Sequence, residues 1–538
     1  MSQFVRILHD HEVDIVMLRL LRTSTSTIRQ RRSALLQRPQ SHRTMASDSD
    51  SISDLFPVPS SPPSDILPRR WPGISPQSTT ALREVLKENH TRWHIFFNDS
   101  GFHNHTAHRA IANWALGASG DVIRDGYKKD SATQRPAFEP PEAIHAGNFK
   151  DHLGNKRYYG GYLAFFTHVI REHGIAPVLE QYIFSKDMNI DPSSEKSKKP
   201  DMFNRFVGGL IHPLIHIGYG LEFCLPGMVA EGLAETAVHL SAHIPHDFFQ
   251  YEASVEDTLA RLHVSPSHHS TSTPPSKGAH AFTILQRVFD DPALGKVKYT
   301  GSGMFDRTMA DHASAIAQHM GDWHVDGASV RDVERKIEEL SWMNALIYGV
   351  GGWAEDKPFN ADFFHMHLVT SSLFLSAYAA YLKPSSQEHL LRGYLLISLA
   401  WWVSRGRPAL NIPAFFSSTS TSAPAHPLPT GPLPTPHPSA LAGKHAVTPN
   451  AWLPIIETAV VHPDDHLPKL QRALAHYNSL YGARGPGELD FKATGLEGAE
   501  VLDGTLFVRA AWLTARRMGR VREGEAPGEW DNGGFYKT

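Results

Sequence analysis

The chain has 538 residues, 41% of them hydrophobic and 10% aromatic, which is enough apolar material for a large buried core. Its formal net charge of −3 excludes a broad basic surface, and it has no run of about 18 uncharged apolar residues, so we expect neither a nucleic-acid nor a membrane partner. The one cysteine, Cys224, excludes an internal disulfide framework and fits a reducing compartment.

The first 65 residues differ in composition from the rest of the chain. Residues 15–46 contain seven arginines and no acidic residue, which is typical of a mitochondrial transit peptide. Acidic residues before this stretch and a second methionine at Met45 favour a mis-called start or a plain disordered leader instead. Residues 46–65 are rich in Ser, Asp and Pro, a composition that predicts disorder. We therefore predict a disordered leader over residues 1–65 and a cytoplasmic location, with the mitochondrion as the alternative.

From about residue 79 onwards, apolar residues recur at helical spacing. In residues 158–173, five apolar side chains share one helix face and Gly174 follows as a stop. We find no run of alternating strands and no βαβ rhythm. The pattern predicts an all-α fold with one large helical domain over residues 79–531. The predicted helical segments are residues 106–116, 158–173, 202–215, 229–243, 332–348, 361–381 and 388–404.

Two low-complexity stretches interrupt this domain, at residues 265–278 and 416–449. Both are rich in Ser, Thr and Pro, and such compositions bury too little apolar area to offset the entropy of ordering the chain. We expect both to be surface insertions; the alternative for the second is that it separates a C-terminal subdomain.

Two histidine clusters lie in the first half of the predicted domain. His105 and His108 are three residues apart at the start of a predicted helix, so they share a face and have the spacing of a metal chelate or of an acid–base pair. His212 and His216 flank Pro213, which must kink or start a helix. Each ring could equally be a hydrogen-bonded core residue, which is the commoner role of a lone histidine on an apolar helix face.

Two further clusters follow along the chain. Glu231, Glu235 and His239 are spaced four residues apart on one face of a predicted helix, and His367 lies within another apolar helix. Helical bundles build metal sites from inward side chains on facing helices, and neutral imidazole suits iron, copper or zinc. An ordinary pair of Glu235 and His239 on the helix surface is the alternative.

The sequence lacks several familiar motifs. No Gly-x-Gly-x-x-Gly follows a predicted strand, and no Gly-x-x-x-x-Gly-Lys-Ser/Thr, Gly-x-Ser-x-Gly or His-Glu-x-x-His occurs. We therefore expect no flavin or dinucleotide fold.

In this order, the clusters resemble the questin oxidase-like family, over residues 90–515. The pieces that carry the resemblance are His103-Asn104-His105, Ala115-Leu116-Gly117-Ala118-Ser119, His212-Pro213-Leu214-Ile215-His216, Gly218-Tyr219-Gly220, Glu231-Gly232-Leu233-Ala234, Asp362-Phe363-Phe364, Met366-His367, Gly406-Arg407-Pro408 and Asp503-Gly504-Thr505-Leu506-Phe507.

The resemblance implies a helical oxidoreductase of secondary metabolism that uses O2 to insert oxygen into, or to cleave, an aromatic polyketide ring of anthraquinone type. It implies either a Baeyer–Villiger-type oxidase, with NADPH as reductant, or a non-haem iron dioxygenase whose four histidines are completed by a carboxylated lysine. The partners would be a small aromatic substrate and O2. The sequence indicates no oligomeric state.

The resemblance also implies the site residues. The metal ligands would be His105, His216, His239 and His367, and the catalytic residues would be His105, His216 and His367. His108 and His212 are the reserve candidates. The nearest lysine before the Asp362-Phe363-Phe364 motif is Lys357, and the sequence does not show whether it serves as the lysine of the family.

We expect these histidine-bearing helices to line a deep apolar pocket, in which a histidine takes a phenolic proton from a flat aromatic substrate. A metal-dependent hydrolase on a helical bundle and a catalytically inactive helical ligand-binding protein are the alternatives.

Overall fold

Helices build the whole of the architecture in the computed structural model, which describes residues 48–62, 64–190, 200–245, 248, 278–297, 303–419, 435–442 and 447–535. Within these ranges the backbone forms isolated β-bridges but no β-strand, so the prediction of an all-α fold is confirmed. The α-helices are α1 Asp48–Leu55, α2 Pro76–Arg92, α3 Thr106–Ala115, α4 Gly120–Ser131, α5 Tyr159–His173, α6 Ile175–Leu179, α7 Met202–Phe206, α8 Gly208–Glu222, α9 Pro226–Val238, α10 Ala281–Asp290, α11 Met304–His319, α12 Val330–Gly349, α13 Phe363–Ser372, α14 Leu375–Ala379, α15 Pro384–Ser404, α16 Ile412–Ser418, α17 Trp452–Val461, α18 His466–Tyr481, α19 Leu489–Lys492 and α20 Leu506–Met518.

Short turns connect these helices. A π-helical turn covers Glu180–Phe184, and 3-10 turns cover Phe149–His152, Lys156–Tyr158, Lys186–Met188, Leu294–Lys296, Ala499–Val501 and Val521–Glu523. No helix in the described ranges has both the length and the apolar character needed to cross a bilayer. The described residues from Ile52 onwards form one compact unit.

Helix α8 contains a break that the periodicity does not predict. We expected one helix over residues 202–215, but Gly209, Leu210 and Ile211 all have positive φ, at 53°, 57° and 65°. The helix restarts at His212, and Pro213 is the next residue. The first N–H groups of a helix have no partner within it, so the missing N–H of proline costs no helical hydrogen bond at this position. The break turns the Gly209 carbonyl toward the new helix.

Helices α8 and α9 pack very closely. At Gly232 an added Cβ would overlap the side chain and backbone of Ile217, so only glycine allows this approach. The close approach places the buried carboxylate of Glu231 beside His216. Helix α9 ends at Val238, earlier than the predicted residue 243, because His239 has extended backbone angles.

The predicted leader is wrong in its boundary. Leu55 and Phe56 are buried, and Phe56 is fully covered and lies 5.3 Å from the ring of His90. Residues 52–62 therefore belong to the folded unit, because the burial of these apolar side chains outweighs the polar composition around them. Residues 1–47, together with 265–277, 420–434 and 443–446 in the predicted insertions, lie outside the described residues.

Candidate functional site

Eight histidines meet in the interior of the helical unit. They come from five helices and the residues next to them, and more than 350 residues separate the first of them from the last in the sequence. All are buried except His105, whose side chain is 15% exposed. The eight are His103, His105, His108, His212, His216, His239, His367 and His466.

Four of these imidazoles close a ring, which we call the histidine quartet. The ring centroids of His105 and His212 are 4.8 Å apart, those of His212 and His367 4.9 Å, those of His367 and His466 5.1 Å, and those of His466 and His105 4.6 Å. Each member comes from a different helix or helix cap: α3, α8, α13 and α18.

Local backbone fixes the tautomer of two members. The Nδ1–H of His212 donates to the carbonyl of Gly209 at 2.6 Å, and the Nδ1–H of His367 donates to the carbonyl of Phe363 at 2.8 Å. A carbonyl only accepts, so the proton of each neutral ring lies on Nδ1 and the lone pair lies on Nε2.

A carboxylate orients the third member. The Nδ1 of His105 lies 2.8 Å from Oδ2 of Asp465, and the Nδ1 of His466 lies 3.4 Å from Oδ1 of the same residue. Burial would raise the pKa of Asp465, but His466, Lys469 and His105 outweigh it and hold the pKa well below its usual value. Asp465 is therefore ionised and accepts the His105 proton.

The Nε2 atoms of all four quartet members are buried and have no hydrogen-bond partner. Burial lowers the pKa of His105 to about 3 and those of His212 and His367 well below the usual value. His105, His212 and His367 are thus neutral imidazoles with Nδ1 held by a carbonyl or carboxylate and Nε2 left open, which is the usual arrangement of metal-ligating histidines. Within the described residues, the potential ligands whose atoms lie within 4.8 Å of one another are His105, Asp465 and His466, a group that does not include His212 and His367. Imidazole nitrogens and a carboxylate fit a metal ion, and the open Nε2 atoms of His212 and His367 lie on rings next to this group.

A second row of polar groups lies behind the quartet. His216 Nε2 donates to Glu231 Oε2 at 2.7 Å, and His108 Nε2 donates to His216 Nδ1 at 3.0 Å. Burial would raise the pKa of Glu231, but hydrogen bonds from His216 and His90 outweigh it and lower the pKa to about 2. The chain of donors runs toward Glu231 and leaves the Nδ1 of His108 buried without a partner.

A third group joins His103, His239 and Glu235. The Nε2 atoms of the two histidines are 3.0 Å apart, and His239 Nδ1 donates to the carbonyl of Leu240 at 3.1 Å. Glu235 Oε1 lies 3.3 Å from His103 Nε2. Burial and the neighbouring Glu231 raise the pKa of Glu235 well above its usual value, so this carboxyl is protonated.

The structure brings the four predicted ligands into one cluster but gives them different surroundings. His105 and His367 belong to the quartet. His216 and His239 have both ring nitrogens paired, so they lack an open nitrogen for a metal. His212, a reserve candidate, has an Nε2 without a hydrogen-bond partner, which leaves it open to a metal.

Sequence reasoning missed His466, which lies in no histidine-rich motif. The sequence did contain one signal for a role of His466. It follows Asp465 at the start of an amphipathic helix and stands three residues before a lysine that is buried. That lysine, Lys469, is 4% exposed and its Nζ lies 3.1 Å from Asp465 Oδ2.

Lys357 lies elsewhere. It is exposed and lines a surface cleft of about 650 Å³ with Trp353 and Arg516. A second cleft, of about 690 Å³, is lined by Phe184 and Tyr381 among others. At the position of the predicted deep pocket, the imidazoles instead lie in contact with one another.

The chain matches a known protein family, and several named proteins are similar to it. The sequence model described as Questin oxidase-like matches residues 102–474. A questin oxidase of Aspergillus terreus is 28% identical over 408 residues, covering 73% of this chain and 79% of that protein. The Baeyer-Villiger monooxygenase AacuH of Aspergillus aculeatus is 29% identical over 382 residues, covering 65% and 71%, and the Baeyer-Villiger oxidase AgnL3 of Paecilomyces divaricatus is 27% identical over 378 residues, covering 69% and 77%. Since the match extends over more than half of its length, the chain belongs to the questin oxidase-like family.

Proposed function

We propose that this protein is an oxidoreductase that uses O2 to insert oxygen into, or to cleave, a ring of an aromatic polyketide of anthraquinone type. Its relatives are named questin oxidase and Baeyer-Villiger oxidase. The observation that carries the proposal is the histidine quartet, four imidazoles whose buried Nε2 atoms have no hydrogen-bond partner in the protein.

Non-haem iron is the metal that this site and the family resemblance together favour. His105, His212, His367 and His466 would hold it through Nε2, and Lys469 is the buried lysine beside them that fits the lysine of the family. In this proposed ligand set, His212 and His466 take the places of the predicted ligands His216 and His239. Iron, when bound, supplies the redox chemistry by which O2 reacts with an electron-rich ring.

His108 is our candidate for the proton acceptor. Its open Nδ1 can take a phenolic proton and so give an electron-rich ring anion. The Nε2–H of His108 already donates to His216, and His216 donates to the ionised Glu231. This chain orients the ring of His108, whose pKa burial and the neighbouring His216 hold well below its usual value, so His108 is neutral and can accept a proton at Nδ1. The predicted catalytic role of His216 then becomes that of a positioning residue.

NADPH is expected to serve as an external reductant where the ring is offered as a quinone rather than a hydroquinone. The small aromatic substrate and O2 are the partners in either case. Oxygen uptake with the quinone alone, with NADPH and with the hydroquinone alone measures this requirement.

The proposal is tested by metal analysis and oxygen uptake after anaerobic loading with Fe²⁺. A hydroxyanthraquinone or its hydroquinone should drive oxygen uptake, and His212→Ala and His466→Ala should lose both iron and uptake. His476→Ala is the matched control, because His476 is buried on the same helix as His466 and has an unpartnered Nδ1 but contacts Tyr477 rather than the quartet. No uptake by the iron-loaded protein would refute the proposal for this substrate class.

The same assay separates the alternative functions. A hydrolase would turn over without O2, whereas a ligand-binding protein would bind the aromatic compound and convert it under no condition.

A further inference from the structure

Phe363, the first residue of α13, lies against two members of the quartet. Its ring centroid is 4.8 Å from that of His367 and 5.0 Å from that of His466, with interplanar angles of 69° and 67°. The side chain is half-buried, while His367 and His466 are only 2% and 7% exposed. Part of the Phe363 ring therefore covers the quartet, and part is open to solvent.

No other aromatic side chain in the described ranges combines these two properties. Besides histidines, Trp530 is the other aromatic residue with a ring contact to the quartet, at 6.4 Å from His466. Trp530 is 8% exposed, and its indole N–H donates to Asp464 at 3.0 Å. It is thus covered and held, whereas Phe363 offers an accessible aromatic surface.

We infer that Phe363 is the residue against which the aromatic ring of the substrate stacks as it reaches the quartet, so that Phe363 determines specificity for flat polycyclic phenols. The inference rests on the proposed function for the substrate class. Offset or edge-to-face contact with a flat ring adds binding energy beyond the burial of area, and an aliphatic side chain does not replace it.

The backbone of Phe363 has a separate role, which makes its side chain a clean target. Its carbonyl accepts from His367 Nδ1, and its N–H donates to the carbonyl of Asp531 at 3.0 Å. Replacing the side chain leaves both groups in place, so the orientation of His367 is retained.

The test compares Phe363→Leu with Phe364→Leu. Phe364 is the matched control, since it is the next residue and half-buried, but its ring stacks on Trp401 at 5.2 Å and beneath Arg405 at 4.3 Å instead of on the quartet. The probe is 1,8-dihydroxyanthraquinone, titrated anaerobically into the iron-loaded protein and followed by its visible absorbance. Iron content, KM and kcat are measured on the same samples.

We expect Phe363→Leu to raise Kd and KM about fivefold, a loss typical of one aromatic contact, with unchanged iron content and little change in kcat. Phe363→Tyr should retain the affinity, and Phe364→Leu should match the unmodified protein. Four results would overturn the inference. Phe363→Leu could bind the probe as tightly as the unmodified protein, both leucine variants could lose affinity equally, or Phe363→Leu could lose iron. The fourth result is that the unmodified protein does not bind the probe. If the protein binds the probe but takes up no oxygen, the proposed function is refuted. The Kd values of the variants would then still decide whether Phe363 contacts the aromatic ring.

Discussion

Replacing Glu231 by Gln tests how the buried carboxylate holds the second row of histidines. Glu231 is 2% exposed and accepts from His90 Nδ1 at 2.6 Å and from His216 Nε2 at 2.7 Å. Despite its burial, these hydrogen bonds lower its pKa from 4.5 to about 2. A difference of this size corresponds to about 3 kcal/mol of folding stability from the ionised form at neutral pH.

The sign of the pH dependence follows from the lowered pKa. The folded-state pKa lies below the unfolded-state pKa, so the contribution is complete above the unfolded value of 4.5 and is lost as the pH falls toward 2. A chain of this size unfolds with an entropy of roughly 1 kcal/mol per kelvin. Glu231→Gln should therefore lower Tm by about 3 °C at pH 7, and the difference should shrink as the pH falls from about 5 to about 3.

The assay is thermal unfolding followed by circular dichroism at one scan rate across this pH range. Glu235→Gln is the matched control, because Glu235 lies one turn further along α9, is equally buried and has a pKa raised by burial and by Glu231. A neutral carboxyl and an amide have similar shape and charge, so this variant should not lose stability at pH 7. Equal losses in both variants, or a loss in Glu231→Gln that stays constant down to pH 3, would refute the reasoning.

Three further predictions concern the fold and the metal. Gly209→Ala should lower Tm and iron content, because the new Cβ would overlap the His239 imidazole at a φ of 53°; an unchanged Tm with full iron would contradict the geometry. Phe56→Ala should lower Tm by roughly 3–5 °C through the loss of a fully buried ring, and a Tm within error of the unmodified protein would place residues 52–62 outside the cooperative unit. Iron retained on dialysis should be the same at pH 5 as at pH 7.5, because the pKa of His105 is about 3, whereas iron loss centred near pH 6.5 would indicate ordinary imidazoles.

Much of the fold follows from local patterns. The stripe over residues 158–173 corresponds to α5, and the apolar run before Ser404 corresponds to the end of α15. Such patterns report which face of a segment is buried and where capping residues end it. They do not report backbone conformations that cost energy, such as the left-handed angles at Leu210 and Ile211, which non-glycine residues rarely adopt.

The candidate site was predictable in part. Histidines on separate apolar helices indicate a shared centre, and the structure brings them together. Which ring nitrogen of a histidine stays without a hydrogen-bond partner depends on packing between distant parts of the chain. The spacing of the histidines in the sequence does not encode that packing. His105 needs Asp465, 360 residues further along the chain, and His216 loses its open nitrogens to Glu231 on another helix and to His108.

The spread of the quartet along the chain has a consequence for how the protein matures. Its members stand at positions 105, 212, 367 and 466, so the last of them leaves the ribosome only when most of the 538 residues have been made. No nascent segment that ends before residue 466 contains the complete ring. An ion held by all four rings could therefore be captured only late in synthesis or afterwards, and its release during gentle denaturation would report the separation of distant helices rather than the fraying of any single one.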